Sequence, residues 1–168
     1  TIRFVNIEPK LMKKIFITGG LGFIGSKLAM QALAKGFSVF LYDSLIYKQD
    51  YRKIMADIEK AKTGNATVEY IIGDTRNTKL IEKSLKDFNP DFLFHFAELA
   101  GIYVCNDNPT FTEDINFEAS KNVLDLAEKL KIPTIYNSSS SVYGNQKDLA
   151  LLDEDSLLPE PTANYCKY

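Results

Sequence analysis

The stretch KIFITGGLGFIGSKL (14–28) constrains the fold more than any other part of the chain. An apolar run ends at Thr18, a helical pattern follows, and Gly19, Gly22 and Gly25 mark the passage between them. Side chains at these positions would hold a ligand away from the backbone N–H groups at the start of the helix. That helix end carries partial positive charge and unpaired donors, so it suits a phosphate. The last glycine would let the helix approach the strand closely. Taken alone, the triplet also fits a tight turn that holds no ligand, so its context has to decide.

Apolar runs alternate with amphipathic stretches along the chain. Strands are expected at 14–19, 37–43, 67–74, 91–97 and 133–141. Ile24, Leu28, Ala32 and Leu33 mark a first helix that Gly36 closes. Tyr51, Ile54, Met55, Ile58 and Ala61 mark a second, closed by Gly64. A third covers 78–88 and ends before Pro90. Ile115, Ala119, Val123, Leu126, Ala127 and Leu130 line a fourth, over 112–131. This order predicts an α/β fold: a doubly wound parallel sheet, Rossmann-like, with helices on both faces. The first four strands read as apolar throughout, as strands buried on both sides do. Ligands of such folds gather at the carboxyl ends of the strands, here after Thr18, Tyr42, Ile72, Phe96 and Asn137.

The 168 residues suffice for one domain with a sizeable core. Twenty basic against 22 acidic residues leave a net charge of −2, which gives no reason to expect nucleic acid or an anionic membrane as a partner. No apolar run reaches the length of a membrane span. The two cysteines, Cys105 and Cys166, match no metal-ligand spacing and read as free thiols of a reducing, cytoplasmic compartment. No metal site is expected. Residues 1–12 read as an N-terminal arm or extension, and 13–168 as the single domain.

Asp43 ends the second strand. A carboxylate there can accept hydrogen bonds from both ribose hydroxyls of NAD and would repel the 2′-phosphate of NADP; no arginine flanks it to receive that phosphate. A solvated turn residue is the plainer alternative. His95, the one histidine, is expected as a hydrogen-bonded core residue rather than an acid–base catalyst. Cys105 is expected as a small buried apolar residue, with no recognisable base beside it.

Several motifs now stand in order: TGGLGFIG (18–25), YD (42–43), GDTRN (73–77), HFAELAG (95–101), NP (108–109) with Asn116, and SSSSVYG (138–144). Together they resemble the extended short-chain dehydrogenase/reductases, and more narrowly the NAD-dependent nucleotide-sugar epimerase/dehydratase family, over nearly the whole chain. The resemblance implies that Gly19, Gly22 and Gly25 cradle the pyrophosphate of NAD, with the backbone of Phe23 and Ile24 beside it. It places Asp43 on the adenosine ribose, Asp74 and Thr75 at the adenine, Phe96 and Ala97 on the nicotinamide side, and Asn116 as a support from its helix. It implies a nucleotide-sugar substrate and a homodimer.

The family's chemistry needs a tyrosine that takes a proton from a sugar hydroxyl, and a Ser or Thr that bonds the same oxygen. The resemblance puts these at Tyr165 and Ser139. A tyrosine with its ordinary pKa of about 10 is a poor base at neutral pH. The family pattern Y-x-x-x-K supplies a lysine one helical turn on, to stabilise the phenolate. Here that position would be 169, one beyond Tyr168, and Lys167 would point away from Tyr165 on a helix. The expectation is therefore an NAD-binding part that ends before the family lysine and lacks the C-terminal substrate lobe, inactive by itself. Family dehydratases and decarboxylases place Asp or Glu after the Ser/Thr; Ser140 and Ser141 stand there instead, which favours an epimerase. A 4,6-dehydratase, a reductase or a catalytically dead NAD-binding relative stays open.

Overall fold

The computed structural model describes residues 13–143 together with Asp155. The N-terminal arm, Tyr165 and Cys166 lie outside the described residues.

Five strands form one parallel sheet: β1 (Lys14–Thr18), β2 (Ser38–Asp43), β3 (Val68–Ile72), β4 (Phe92–His95) and β5 (Thr134–Tyr136), in the order β3-β2-β1-β4-β5. Register runs Ile15–Val39 between β1 and β2, and Ile15–Phe92 between β1 and β4. Strand order reverses at β1, so the crevice beyond the ends of β1 and β4 is the switch point where such sheets take ligands.

The helices are α1 (Phe23–Ala34), α2 (Tyr51–Lys60), α3 (Thr78–Phe88), α4 (Ile102–Asp107), α5 (Pro109–Glu113) and α6 (Ser120–Lys129). Side chains alternate across each strand, and the two faces hold separate cores. Ile15, Ile17, Val39 and Leu41 pack with Ala29 and Leu33 of α1 and Met55 and Ile58 of α2. Phe16, Phe40, Tyr42 and Leu93 pack with Ile81, Leu85 and Phe88 of α3 and Val123, Leu126 and Ala127 of α6. Phe16 and Phe40 stack at 4.8 Å between centroids. The doubly wound expectation therefore holds.

α1 closes at Gly36 as expected, whereas α2 ends at Lys60 with its cap at Ala61, short of the expected Gly64. Gly36 adopts φ +81°, and the N–H groups of Gly36 and Phe37 return to the carbonyls of Leu33 and Ala32, which closes α1. Asp50 and Asn77 cap α2 and α3 through their side chains, and Asn89 ends α3 at φ 49°.

Four further expectations need correction. β3 is not buried on both faces: Tyr70 and Ile72 are exposed, because β3 is an edge strand of this sheet. α1 buries Gly25, Ser26, Ala29, Ala32 and Leu33, while Ile24 faces solvent; its small residues, rather than the larger apolar ones, allow close contact with the sheet. The fourth helix starts at Pro109 and carries a π-helical turn, Asp114–Ala119, between α5 and α6. α4 has no counterpart in the sequence reading, because six residues are too few to show a helical period.

Candidate functional site

An open cleft lies at the carboxyl ends of β1 to β4. Its walls include Gly19, Gly22, Asp43, Asp74, Thr75, Phe96 and Ala97, all expected at a cofactor, and also Tyr47, Gln49, Glu98 and Leu99, which were not. Ser139 follows β5 outside this lining, Gly25 lies buried in the first turn of α1, and Tyr165 is beyond the described residues.

The glycine turn is shaped by backbone contact. Gly19 adopts φ +64°, and a Cβ on it would come within 2.5 Å of the Phe96 carbonyl oxygen. A Cβ on Gly25 would strike the Gly19 carbonyl and sit 2.8 Å from the Gly20 Cα. Gly22 differs: its Cβ would meet only the Gly19 oxygen, at 3.1 Å, so the space over it is open to the cleft. No side chain caps α1 and no acidic residue lies in its first turn. The N–H groups of that turn, at Phe23 and Ile24, are left to solvent or to a ligand, beside the positive end of the helix. The side chain of Phe23 is 85% exposed, so only its backbone serves the turn.

Asp43 is buried, and each carboxylate oxygen already accepts a backbone N–H: Leu21 on Oδ2 at 3.0 Å and Leu45 on Oδ1 at 2.8 Å. It is not a solvated turn residue. Each oxygen keeps a lone pair for a further donor. Leu45 and Lys48 both adopt positive φ, so the loop after β2 is strained and needs such anchors. Tyr47 supplies another: its hydroxyl donates to the Ala100 carbonyl at 3.1 Å and accepts the Ala100 N–H at 2.6 Å, tying the β2 loop to the β4 loop.

Asp74 is gripped by Arg76, whose Nη2 lies 2.7 Å from Oδ2 and whose guanidinium stacks on Phe111 at 4.8 Å. The hydrogen bonds from the Arg76 side chain hold the Asp74 carboxyl below the usual carboxylate range. Thr75 is buried next to it.

On the β4 side, His95 is fully buried, with Nδ1 2.6 Å from Thr18 Oγ1 and Nε2 2.8 Å from Ser120 Oγ. Thr18 Oγ1 accepts the N–H groups of Phe96 and Ala97, so its own proton goes to Nδ1. The histidine proton then sits on Nε2 and is donated to Ser120, which donates to the Ile115 carbonyl. Burial depresses the imidazole pKa to about 4. His95 is therefore a neutral strut in the core, as the sequence reading expected. Asn116, in the π-helical turn, accepts the Leu99 N–H at 2.7 Å and donates to the Leu99 carbonyl at 2.9 Å. It steadies the cleft wall from behind. Cys105 is buried, with Sγ 3.4 Å from the Leu99 carbonyl, in a small core with Leu99 and Ile115.

Ser139 is exposed and accepts the Ser141 N–H at 3.2 Å, at the start of a short 3₁₀ turn, Ser140–Tyr143. Glu98, Gln49 and Tyr47 could not have been found from spacing, since their places depend on two loops meeting over the cleft. Among the described residues no cluster of His, Cys, Asp and Glu could hold a metal, and no helix is long and apolar enough to cross a membrane.

The fit to a dinucleotide is thus physical: a glycine turn crowded at Gly19 and Gly25 but open at Gly22, uncapped N–H groups, and a buried carboxylate at the end of β2. Comparison with known proteins agrees with it. The sequence pattern of the NAD dependent epimerase/dehydratase family matches residues 15–167. CDP-paratose 2-epimerase of Salmonella typhi is 31% identical over 134 residues, 79% of this chain and 38% of that protein. The bifunctional UDP-glucose 4-epimerase and UDP-xylose 4-epimerase 1 of Pisum sativum is 27% identical over 148 residues, 86% of this chain and 42% of its own. The crystal structure of UDP-glucose 4-epimerase from Bifidobacterium longum in complex with NAD+ and UDP superposes with a TM-score of 0.81 at 26% identity, covering 92% of this chain and 45% of that one. The chain spans about two fifths of the length of these two curated relatives.

Proposed function

Since the chain belongs to the NAD dependent epimerase/dehydratase family, we propose that residues 13–168 form the NAD-binding domain of a nucleotide-sugar epimerase. The observation that carries this reading is the glycine turn facing Asp43 at the adjacent carboxyl ends of β1 and β2. Gly19, Gly22 and the first N–H groups of α1 would hold the pyrophosphate. Asp43 would accept from the ribose hydroxyls, Asp74 and Thr75 would border the adenine, and Phe96 and Ala97 the nicotinamide, with Asn116 behind them. Bound NAD would take up a hydride from the sugar and give it back.

Two side chains of this chain would handle the sugar hydroxyl. Ser139 would donate a hydrogen bond to its oxygen, and Tyr165 would take its proton. Ser140 and Ser141, where family dehydratases and decarboxylases carry acids, favour an epimerase, which needs no acid there. By the same family likeness we read the protein as a cytoplasmic homodimer.

Calorimetry with NAD and NADP tests the cofactor assignment. NAD should bind more tightly, because the Asp43 carboxylate opposes a 2′-phosphate. Equal or tighter binding of NADP would overturn the role given to Asp43.

A further inference from the structure

Three carboxyl groups line the cleft: Asp43, Asp74 and Glu98. Their charges are not equally provided for. Asp43 holds two backbone N–H groups. Asp74 is clamped by the Arg76 guanidinium. Among the described residues, no cation and no backbone N–H meets the Glu98 side chain. The Tyr136 hydroxyl lies beside the carboxyl as a donor, and Oε1 is buried with no hydrogen-bond partner among the described residues. An ionised carboxylate with a buried, unserved oxygen is costly, whereas the neutral acid loses much less.

We propose that Glu98 is a further affinity-determining residue of this cleft, and that it is in its acid form when the dinucleotide is bound. The proposal rests on reading the cleft as the dinucleotide site. The physical reason is charge. A pyrophosphate brings negative charge to Gly19 and Gly22, in the same cleft as Glu98, and like charges disfavour ionisation of the carboxyl. Binding would then draw a proton onto Glu98, and ionised Glu98 would oppose binding.

The surroundings agree. Tyr136 approaches from β5 and stacks on the neutral His95 of β4 at 5.7 Å. The tyrosine hydroxyl is pushed up to about 12 by burial first and then by the Glu98 charge, so it stays protonated and can donate. Tyr47 from the β2 loop is spent on Ala100. Cys105 of α4 is turned to Leu99. Asp43 and Asp74 add only negative charge from β2 and β3, and Arg76 is occupied by Asp74. Burial raises the Glu98 pKa, with the Tyr136 hydrogen bond opposing only in part.

The test is calorimetry of NAD binding at several pH values in buffers of different ionisation heat, with the intact chain and with Glu98→Gln. The amide keeps a partner for Tyr136 and removes the charge. Carboxyl-carbon NMR of Glu98 without ligand runs beside it. The native chain should take up protons on binding and lose affinity as pH rises past the Glu98 titration, approaching tenfold per pH unit, since one unit is about 1.36 kcal/mol. Glu98→Gln should bind without that uptake and at least as tightly at high pH. A native chain that binds NAD with no proton uptake, an unchanged uptake in Glu98→Gln, or a Glu98 carboxyl titrating at the ordinary value would each overturn the proposal while leaving the cofactor reading intact. No binding of NAD at any pH would overturn the cofactor reading, and this proposal with it.

Discussion

Asp43 accepts the backbone N–H of Leu21 at 3.0 Å, across the gap between the second strand and the glycine turn. The residue assigned to the ribose is therefore also the one that holds the phosphate turn in shape. Asp43→Ala should do two things at once. It leaves the N–H groups of Leu21 and Leu45 without their acceptor, which costs about 1–3 kcal/mol for a buried group, and it removes the ribose contact. Urea denaturation and NAD calorimetry on one sample would show both losses. Weakened binding with unchanged stability would mean the Leu21 bond contributes nothing.

Gly22 and Gly25 should separate binding from folding. A methyl at Gly25 meets the backbone of Gly19 and Gly20, which cannot move aside, so Gly25→Ala should destabilise the chain by roughly 1–3 kcal/mol or more, as overpacking does. A methyl at Gly22 meets one carbonyl oxygen at 3.1 Å and otherwise points into open space. Gly22→Ala should fold with little change in melting temperature and still lose NAD affinity. Thermal melts and titrations distinguish the two.

His95 gives stability a pH dependence of definite sign. Its imidazole titrates near 4 in the folded chain, against 6.5 for the free side chain. The unfolded state therefore binds more protons between those values. The contribution is fully present above about 6.5 and is lost as pH falls towards 4, amounting to about 3 kcal/mol. Denaturation at pH 7 and pH 4.5 should show a larger loss for the native chain than for His95→Gln, which has no titrating ring. Equal losses would show that the ring is not held neutral by burial.

In a full-length enzyme containing this sequence, Ser139→Ala should lower turnover by roughly 10²-fold, the loss expected for one positioned donor. Ser141→Ala should cost far less, because alanine keeps the backbone N–H that Ser141 donates to the Ser139 oxygen. Steady-state rates with a UDP-sugar would rank them, and similar losses at both would misplace the catalytic hydroxyl.

The alternation of strands and helices, the two-sided core, the close of α1 at Gly36 and the ligand end of the sheet were legible in the sequence, because each follows from local periodicity or a single residue's backbone preference. Gly19 and Asp43 were legible for the same reason: one directly follows the end of a strand and the other ends one. Tertiary structure alone decided the rest. It set Thr18, His95 and Ser120 in one hydrogen-bonded line across β1, β4 and α6. It brought Tyr47 to Ala100 and Glu98 to Tyr136, pairs whose members lie on different loops and strands. It exposed β3, which reads as apolar as its neighbours but lies at the sheet edge. Such contacts join residues distant in sequence, and no local pattern encodes them; they exist only once the parallel sheet has placed its strand ends side by side.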